Sequence, residues 1–264
     1  MQPAMMRIAA QTLRTASGRP LLDLPDIEMR AGQCWALLGP NGAGKSTFLR
    51  FCAGREPGEP AAGRHWRDQP LPAWSDAAWA RSRGFLPQQH HLTAPLTARA
   101  LIMMAAFPWG GWHERMQSAM TRVVADWDVG YLLPRRWHEL SGGEQQRVQL
   151  ARSALQMALA DAGQPRLWLL DEPLTALDWP HQQSALALCR RVADEGALVM
   201  ASVHDMNAAL SMATHVLVLG QGRVLMQGEL ALEPVREALE QAFSARLGWA
   251  GHPQDGRPWL VPLR

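Results

Sequence analysis

The residues Gly39-Pro40-Asn41-Gly42-Ala43-Gly44-Lys45-Ser46-Thr47 decide the fold of this chain. They fit the pattern G-x-x-x-x-G-K-[ST], which binds phosphate groups when it lies between a strand and a helix. The apolar run 34–38 before them predicts a strand, and residues 45 to about 53 predict a helix. The whole stretch is therefore expected to bind ATP, because its glycines let backbone N–H groups surround phosphates at a positive helix end.

Two side chains of this loop have more specific predicted roles. Lys45 is expected to neutralise the β- and γ-phosphates, and the hydroxyl of Ser46 to ligate Mg²⁺. Lys45 is also the only lysine among 26 basic residues. An ammonium on a flexible stem is compact, whereas a guanidinium is a planar fork. The single lysine therefore indicates a position where arginine does not serve.

The composition excludes several classes of protein. With 47% hydrophobic and 19% charged residues, the chain is expected to be globular, and a net charge of +2 gives no reason to expect nucleic-acid binding. No apolar run is long enough to span a membrane, and the first residues lack a signal-peptide pattern. Cys34, Cys52 and Cys189 lie far apart without metal-binding spacing, which is typical of core cysteines in a reducing compartment.

Strands and helices alternate along most of the chain. Two short strands are expected within residues 6–30, around the turn at 17–20, and further strands at 167–170 and 197–203, with a hairpin at 216–226. This order predicts an α/β fold with a parallel, doubly wound sheet core and an N-terminal antiparallel β part.

The pattern of predicted strands and helices also divides the chain into regions. Residues 89–160 show helical patterns and, between 96 and 135, no strand signals, so an α-helical subdomain is expected to be inserted there. Residues 1–88 and 161–240 then form the nucleotide-binding α/β core. The tail, residues 241–264, gives little information.

A pair of acidic residues follows the predicted strand 167–170. In open α/β sheets, ligands bind beyond the carboxyl ends of the strands, the edge that also carries the phosphate loop. Asp171 is therefore predicted to hold Mg²⁺ and Glu172 to orient and deprotonate the attacking water. The alternative is that both acids simply begin a turn before Pro173. His204 follows another apolar strand at the same edge and is predicted to approach the γ-phosphate, although histidines at such positions are usually structural.

The segment Leu140-Ser141-Gly142-Gly143-Glu144-Gln145-Gln146-Arg147 opens a predicted helix. Ser141 and Glu144 have the spacing of a capping box, which is a purely structural interpretation. Glycine weakens a helix by about 1 kcal/mol, however, so two glycines in the first turn are costly for a cap alone. Close approach of a phosphate to the backbone of Gly142 and Gly143 explains them better.

Together these motifs resemble those of ABC ATPases, and they occur in the order of that family: the phosphate loop, Gln88, LSGGEQQR at 140–147, LLDEP at 169–173, Ala176-Leu177-Asp178 and His204-Asp205. The resemblance covers about residues 6 to 240 and implies a P-loop NTPase (RecA-like) fold and a single ABC ATPase domain that hydrolyses ATP with Mg²⁺.

The resemblance also implies a head-to-tail dimer. In it, Ser141, Gly142 and Gly143 of one subunit close on the ATP held by a second copy of the chain. Gln88 would touch the metal and link the motion of the helical subdomain to the nucleotide. Asp178 would cross the dimer interface, or it is an N-cap before Pro180.

The chain departs from the family in one feature. An aromatic residue that stacks on adenine usually precedes the first Gly-Arg turn, but none lies between Arg14 and Ser17. Either an arginine such as Arg14 stacks on the base or the base contacts are weak.

Within the family, the chain is most similar to ATPases of haem importers, with vitamin B12 and iron-siderophore importers as close relatives. The features that carry this likeness are residues 71–75, the segment LSGGEQQRVQLAR and the extended stretch 156–165. The resemblance implies an integral membrane permease in a separate chain, two copies of it, a periplasmic substrate-binding protein acting indirectly, and a position at the cytoplasmic face of the inner membrane. No nucleic-acid partner is expected.

Other interpretations remain open at this stage. A soluble ABC ATPase acting on DNA or the ribosome would suit a chain with coiled-coil insertions or a second cassette, neither of which the sequence shows. A nucleotide-binding module without turnover is disfavoured by Glu172. Phe107, Trp109 and Trp112 are candidates for docking the permease, although tryptophans are more often core residues.

Overall fold

The three-dimensional description rests on a computed structural model. It describes residues 4–54, 63–88, 95–160, 166–252, 256 and 258–263, with the backbone alone for Arg115. The expected boundary between core and helical subdomain at 88/89 and that at 160/161 each adjoin residues outside the described ranges. Part of the stretch 156–165 also lies outside them.

The described residues form strands and helices in alternation. The strands are β1 Ala4–Ile8, β2 Gln11–Arg14, β3 Pro20–Leu24, β4 Ile27–Arg30, β5 Cys34–Leu38, β6 Arg64–Trp66, β7 Gln69–Pro70, β8 Arg83–Leu86, β9 Leu167–Asp171, β10 Leu198–Ser202, β11 His215–Gly220, β12 Arg223–Glu229, β13 Leu247–Gly251 and β14 Pro258–Pro262. The helices are α1 Lys45–Ala53, α2 Asp76–Ser82, α3 Ala98–Met103, α4 Gln117–Asp126, α5 Gly142–Leu159, α6 Trp179–Asp194, α7 Met206–Met212 and α8 Leu232–Phe243. Short 3₁₀ segments lie at Leu71–Ala73, Met104–Trp109, Glu114–Met116, Gly130–Leu132 and Trp137–Glu139.

The main sheet has eight strands in the order β2-β3-β12-β11-β5-β10-β9-β8. Strands β11, β5, β10, β9 and β8 run parallel to one another. Every residue of β5, β9 and β10 is buried, which explains why these strands read as continuous apolar runs rather than as alternating patterns. The predicted α/β fold is confirmed, and the carboxyl ends of β5, β9 and β10 meet at one edge of the sheet.

The N-terminal antiparallel part is larger than the sequence indicated. The expected turn at 17–20 lies between β2 and β3, but β1 and β4 also form strands and pair antiparallel with each other. They belong to a second sheet with β6 and β7. The expectation of only two strands in this region was wrong, because the chain leaves one sheet for the other at residues 9–10 and 25–26, where the alternating pattern breaks.

Between β8 and β9 the described residues form helices joined by turns and loops, without a strand, and an isolated bridge pairs Thr97 with Arg136. Its helices α3, α4 and α5 bury apolar side chains in the same core that lines one face of the main sheet. No helix in the described ranges combines the length and the hydropathy needed to cross a bilayer. The tail contains more structure than expected: after α8, strands β13 and β14 form an antiparallel hairpin whose Leu247 and Leu260 are buried.

Candidate functional site: the edge of the sheet beside the phosphate loop

The phosphate loop connects β5 to α1, as predicted. Gly39 has φ = 142°, and a Cβ atom on it would lie 2.2 Å from the carbonyl oxygen of Leu219. Gly44 is the N-cap of α1 with φ = 104°. A side chain at Gly39 is excluded by both backbone conformation and space, so the fold itself requires glycine at this position.

Lys45 lies at the first turn of α1 and is only 7% exposed. Its Nζ donates hydrogen bonds to the carbonyl oxygens of Gly39 at 2.7 Å and Pro40 at 3.0 Å. Burial lowers the pKa of this ammonium, while the carboxylates of Glu172 and Asp171 act in the opposite direction. The amine is therefore held under the loop that it is predicted to serve, with negative charge close by.

Asp171 ends β9 and lies directly beside Ser202 at the end of β10. The hydroxyl of Ser202 donates to Oδ1 of Asp171 at 2.7 Å and accepts the backbone N–H of Glu172 at 2.9 Å. Ser202 is fully buried, so this single hydroxyl orients both acidic positions. Sequence reasoning missed it, although its place at the end of the strand that precedes His204 was the available signal.

Glu172 is the centre of the site. Its Oε1 accepts a hydrogen bond from Nε2 of Gln88 at 2.7 Å and lies 2.8 Å from Nε2 of His204. Its Oε2 accepts the hydroxyl of Thr175 at 3.3 Å. The backbone of Glu172 has φ = 52°, a left-handed conformation that costs a side-chain-bearing residue about 1–3 kcal/mol unless the surroundings hold it. Gln88 and His204, predicted from two distant segments, thus converge on the carboxylate of Glu172.

A cavity of about 260 Å³ opens above these groups, and its lining consists of residues from the loop and from the acidic edge: Asn41, Gly42, Gly44, Lys45, Ser46, Thr47, Gln88 and Glu172. Asp171 is not among them and is only 3% exposed. The lining thus brings together the phosphate loop, with Lys45, and the carboxylate-bearing residue Glu172.

The glycines of the segment 140–147 lie elsewhere. Ser141 caps α5: its hydroxyl accepts the N–H of Glu144 at 3.3 Å, and the Glu144 carboxylate accepts the N–H of Ser141 at 2.7 Å. The structural capping box is therefore present. A Cβ atom on Gly143 would lie 2.7 Å from the carbonyl oxygen of Ala176, whereas one on Gly142 would make only an ordinary contact at 3.8 Å. The contact with Ala176 gives Gly143 a structural reason that sequence reasoning did not consider.

Gln146 connects α5 to the acidic edge, and Asp178 caps the following helix α6. Nε2 of Gln146 donates to the carbonyl oxygens of Glu172 at 3.3 Å and Pro173 at 3.0 Å. Asp178 is the N-cap of α6, where its Oδ1 accepts the N–H of His181 at 3.1 Å, and hydrogen bonds from His181 lower the pKa of Asp178. The capping role that the sequence left open for Asp178 is present within one chain.

A comparison with protein families decides the identity of this arrangement. The family model described as ABC transporter matches residues 22–175, which include the phosphate loop, the segment 140–147 and the acidic pair. This chain belongs to the ABC transporter family. It is the ATPase component, in which ATP hydrolysis is coupled to transport.

Two similar proteins and one solved structure agree with this assignment. The ABC ATPase is 36% identical to the hemin import ATP-binding protein HmuV of Vibrio cholerae serotype O1, over 94% of its own length and 95% of the relative. It is also 36% identical to the HmuV protein of Streptomyces coelicolor, over 99% and 92% of the two chains. An inward-facing ABC transporter assigned to the metal-chelate type shares the fold with a TM-score of 0.75 at 20% identity, covering 99% of this chain and 98% of that one.

The ABC ATPase offers oxygen donors at the position where a magnesium ion is expected. Ser46 and Gln88 line the cavity and Asp171 lies at the strand end beside it. Among the described residues, no three His, Cys, Asp or Glu side chains cluster in a metal-binding arrangement. Mg²⁺ in nucleotide sites is usually held by one or two carboxylates together with substrate phosphates and water, and this donor set fits that pattern.

Arg14, the candidate for stacking on adenine, lies at the end of β2. Its guanidinium donates a hydrogen bond to the carbonyl oxygen of Gly18 at 3.0 Å. In this ABC ATPase the arginine is thus fixed along the turn that follows β2.

Proposed function

We propose that this ABC ATPase powers the uptake of haem through a separate membrane permease. The observation that supports this cargo is the similarity over nearly the whole chain to proteins named hemin import ATP-binding protein, at 36% identity in the relatives from Vibrio cholerae and Streptomyces coelicolor. The site supports ATP hydrolysis as the source of energy, because one cavity is lined by the phosphate loop, the buried Lys45 and the hydrogen-bonded carboxylate of Glu172.

The reaction follows from the positions of these groups. ATP lies with its phosphates in the loop 39–47, where Lys45 and the N-terminus of α1 offset their charge. Ser46, Gln88 and Asp171 would hold Mg²⁺, which would supply positive charge to the phosphates when bound. Glu172 orients the attacking water and accepts its proton. His204 stabilises the charge that builds on the γ-phosphate.

The second half of the site comes from another copy of the chain. Ser141, Gly142 and Gly143 do not line the cavity beside their own phosphate loop. Ser141 is the N-cap of α5 and the two glycines begin its first turn, where a helix end attracts an anion. A dimer in which this helix end closes on the partner's ATP supplies what one chain lacks. Asp178 is part of the same interface, in addition to capping α6.

The permease contacts the surface around the 3₁₀ segment Met104–Trp109. Phe107 is 84% exposed and Met104 is 50% exposed, while Nε of Arg81 fixes this segment through the carbonyl oxygen of Pro108. Trp112 instead packs partly against the core. Phe107 is therefore the stronger docking residue, with Trp109 and Trp112 supporting it. The ATPase then sits at the cytoplasmic face of the inner membrane, and a periplasmic substrate-binding protein delivers cargo from the other side.

The decisive experiment is co-purification from membranes with identification of the integral partner, followed by reconstitution of the complex in liposomes with its binding protein. ATP hydrolysis stimulated by haem, together with growth on haem as the sole iron source that depends on this chain, is the expected result. Stimulation by vitamin B12 or an iron-siderophore instead would reassign the cargo.

Replacement of Phe107 with Ala should weaken the complex while sparing nucleotide binding, and loss of both would count against docking at this surface.

A further inference from the structure

The C-terminal hairpin is joined to α7 through one side chain. Nδ2 of Asn207 donates to the carbonyl oxygen of Leu260 at 3.1 Å, and the N–H of Leu260 donates to Oδ1 of Asn207 at 2.8 Å. The amide therefore pairs with the backbone of β14 as a neighbouring strand would. Leu260 is buried and belongs to the main core. The hairpin end of the Asn207–Leu260 pair is therefore held in place by core packing.

Helix α7 needs such an anchor. It has only seven residues, and isolated helices of this length are unstable in water. Asp205 caps its first turn by accepting the N–H groups of Asn207 at 2.8 Å and Ala208 at 3.1 Å. Asn207 is thus joined to the cap through its backbone and to β14 through its side chain. The hairpin holds the turn that begins immediately after His204.

The direction of His204 depends on the backbone around it. Its side chain is 48% exposed, yet its Nε2 lies 2.8 Å from Oε1 of Glu172. A half-exposed ring has few packing neighbours to fix it, so the strand before it and the helix after it must set its place. Strand β10 is buried along its whole length and paired with a strand on each side, which leaves the first turn of α7 as the adjustable side.

We propose that Asn207 is a positioning residue for ATP hydrolysis, by which the C-terminal hairpin holds His204 in register with Glu172. This inference rests on the proposed role of His204 in hydrolysis. It gives the tail, residues 241–264, a function within the catalytic domain, although its hairpin is remote in sequence from every motif that binds nucleotide.

A double-mutant cycle tests the proposal in the full-length chain. Asn207→Leu keeps the size of the side chain but removes both hydrogen bonds, and it should lower kcat about tenfold with the KM for ATP unchanged, as expected when an interaction that orients a reacting group is lost. Asn207→Asp keeps the acceptor for the N–H of Leu260 but sets its second carboxylate oxygen against the carbonyl oxygen of Leu260, so it should also lower kcat. In a His204→Ala background, Asn207→Leu should cause no further loss of more than about twofold.

Each outcome has a definite meaning. If Asn207→Leu lowers kcat equally in the unaltered protein and in His204→Ala, or lowers it in neither, Asn207 is not a positioning residue. A rise in KM that accompanies the fall in kcat would assign Asn207 to nucleotide binding and overturn it as well. If His204→Ala alone leaves kcat unchanged, the proposed role of His204 fails first and the inference fails with it. Trp259→Ala, which truncates an exposed ring on the same hairpin, is the control and should leave kcat unchanged.

Discussion

Gln88 and His204 share a single oxygen atom of Glu172. The amide donates to Oε1 at 2.7 Å and Nε2 of the imidazole lies 2.8 Å from the same atom. The two residues follow different strands, β8 and β10, on opposite sides of β9. The carboxylate expected to act on water is therefore in contact with Gln88, which is expected to touch the metal, and with His204, which is expected to approach the γ-phosphate.

Replacement of Glu172 with Gln should separate ATP binding from hydrolysis. The amide keeps the shape of the side chain but cannot accept a proton, so kcat should fall by a factor of about 10²–10⁴ while affinity for ATP is retained. Phosphate release and size-exclusion chromatography with ATP measure the two effects, and an ATP-bound dimer should accumulate. Turnover at the rate of the unaltered protein would place the base elsewhere.

Replacement of Lys45 should abolish the stabilisation that ATP gives to the fold. A ligand at 100 times its Kd stabilises a native protein by about 2.7 kcal/mol, which appears as a rise in Tm. Lys45→Ala should lose most of this rise. Lys45→Arg should lose it too, despite keeping the charge, because a planar guanidinium does not fit a position that is 7% exposed beneath two carbonyl oxygens. If ATP raised the Tm of Lys45→Arg as much as it raises that of the unaltered protein, the prediction that arginine cannot replace this lysine would be wrong.

Gly142 and Gly143 should respond differently to the same substitution. Alanine is favoured over glycine in a helix by about 1 kcal/mol, and Gly142 has room for a Cβ atom, so Gly142→Ala should raise or preserve the Tm of the isolated chain. In Gly143→Ala the new methyl group would lie 2.7 Å from the carbonyl oxygen of Ala176, and the Tm should fall. Equal melting temperatures for the two variants would show that the contact with Ala176 relaxes without cost.

Ser202→Ala should destabilise the protein and lower its activity together. The substitution leaves the N–H of Glu172 and the buried Asp171 each without the partner they now have, and a buried group left unsatisfied costs about 1–3 kcal/mol. Urea unfolding measures the stability, and Mg²⁺ titration of the ATPase rate measures the effect at the metal site. Ser184→Ala, which removes an exposed hydroxyl that bonds only to the backbone of its own helix, is the matched control and should change neither.

The stability of the fold should fall on acidification partly because of His215. Burial lowers the pKa of this ring, with Glu229 acting in the opposite direction. The Oε1 atom of Gln33 accepts from Arg30 N and Trp35 Nε1, so its Nε2, 2.8 Å from His215 Nε2, is the donor of that pair. A protonated ring would set one N–H against another.

The unfolded chain binds a proton at His215 near pH 6.5, above the pKa of the folded state, so the free energy of unfolding decreases as the pH falls below about 6.5. Urea unfolding at pH 8 and pH 5 measures it. The difference between the two pH values should shrink in His215→Gln and stay unchanged in His113→Gln, which alters an exposed histidine. An unchanged difference in His215→Gln would mean that other groups carry the acid sensitivity.

The sequence by itself determined the chemistry of this protein. Residues 39–47, the pair Asp171–Glu172 and the order of motifs that includes Gln88, 140–147 and His204 were readable because each depends on neighbours in the chain or on the end of a recognisable strand. The parallel core was readable for the same reason, since strands buried on both faces are continuous apolar runs.

Only the tertiary structure decided which of these residues touch and what holds them in place. The hydroxyl of Ser202 is 31 residues from Asp171, the amide of Gln88 is 84 residues from Glu172, and Asn207 meets Leu260 across 53 residues. A single serine or asparagine carries no local signal for such contacts, because its hydrogen bonds depend on which strands and helices pack side by side. The division of N-terminal strands between two sheets and the hairpin of the tail were missed for the same reason: pairing across a sheet is decided by distant partners, not by the segment that pairs.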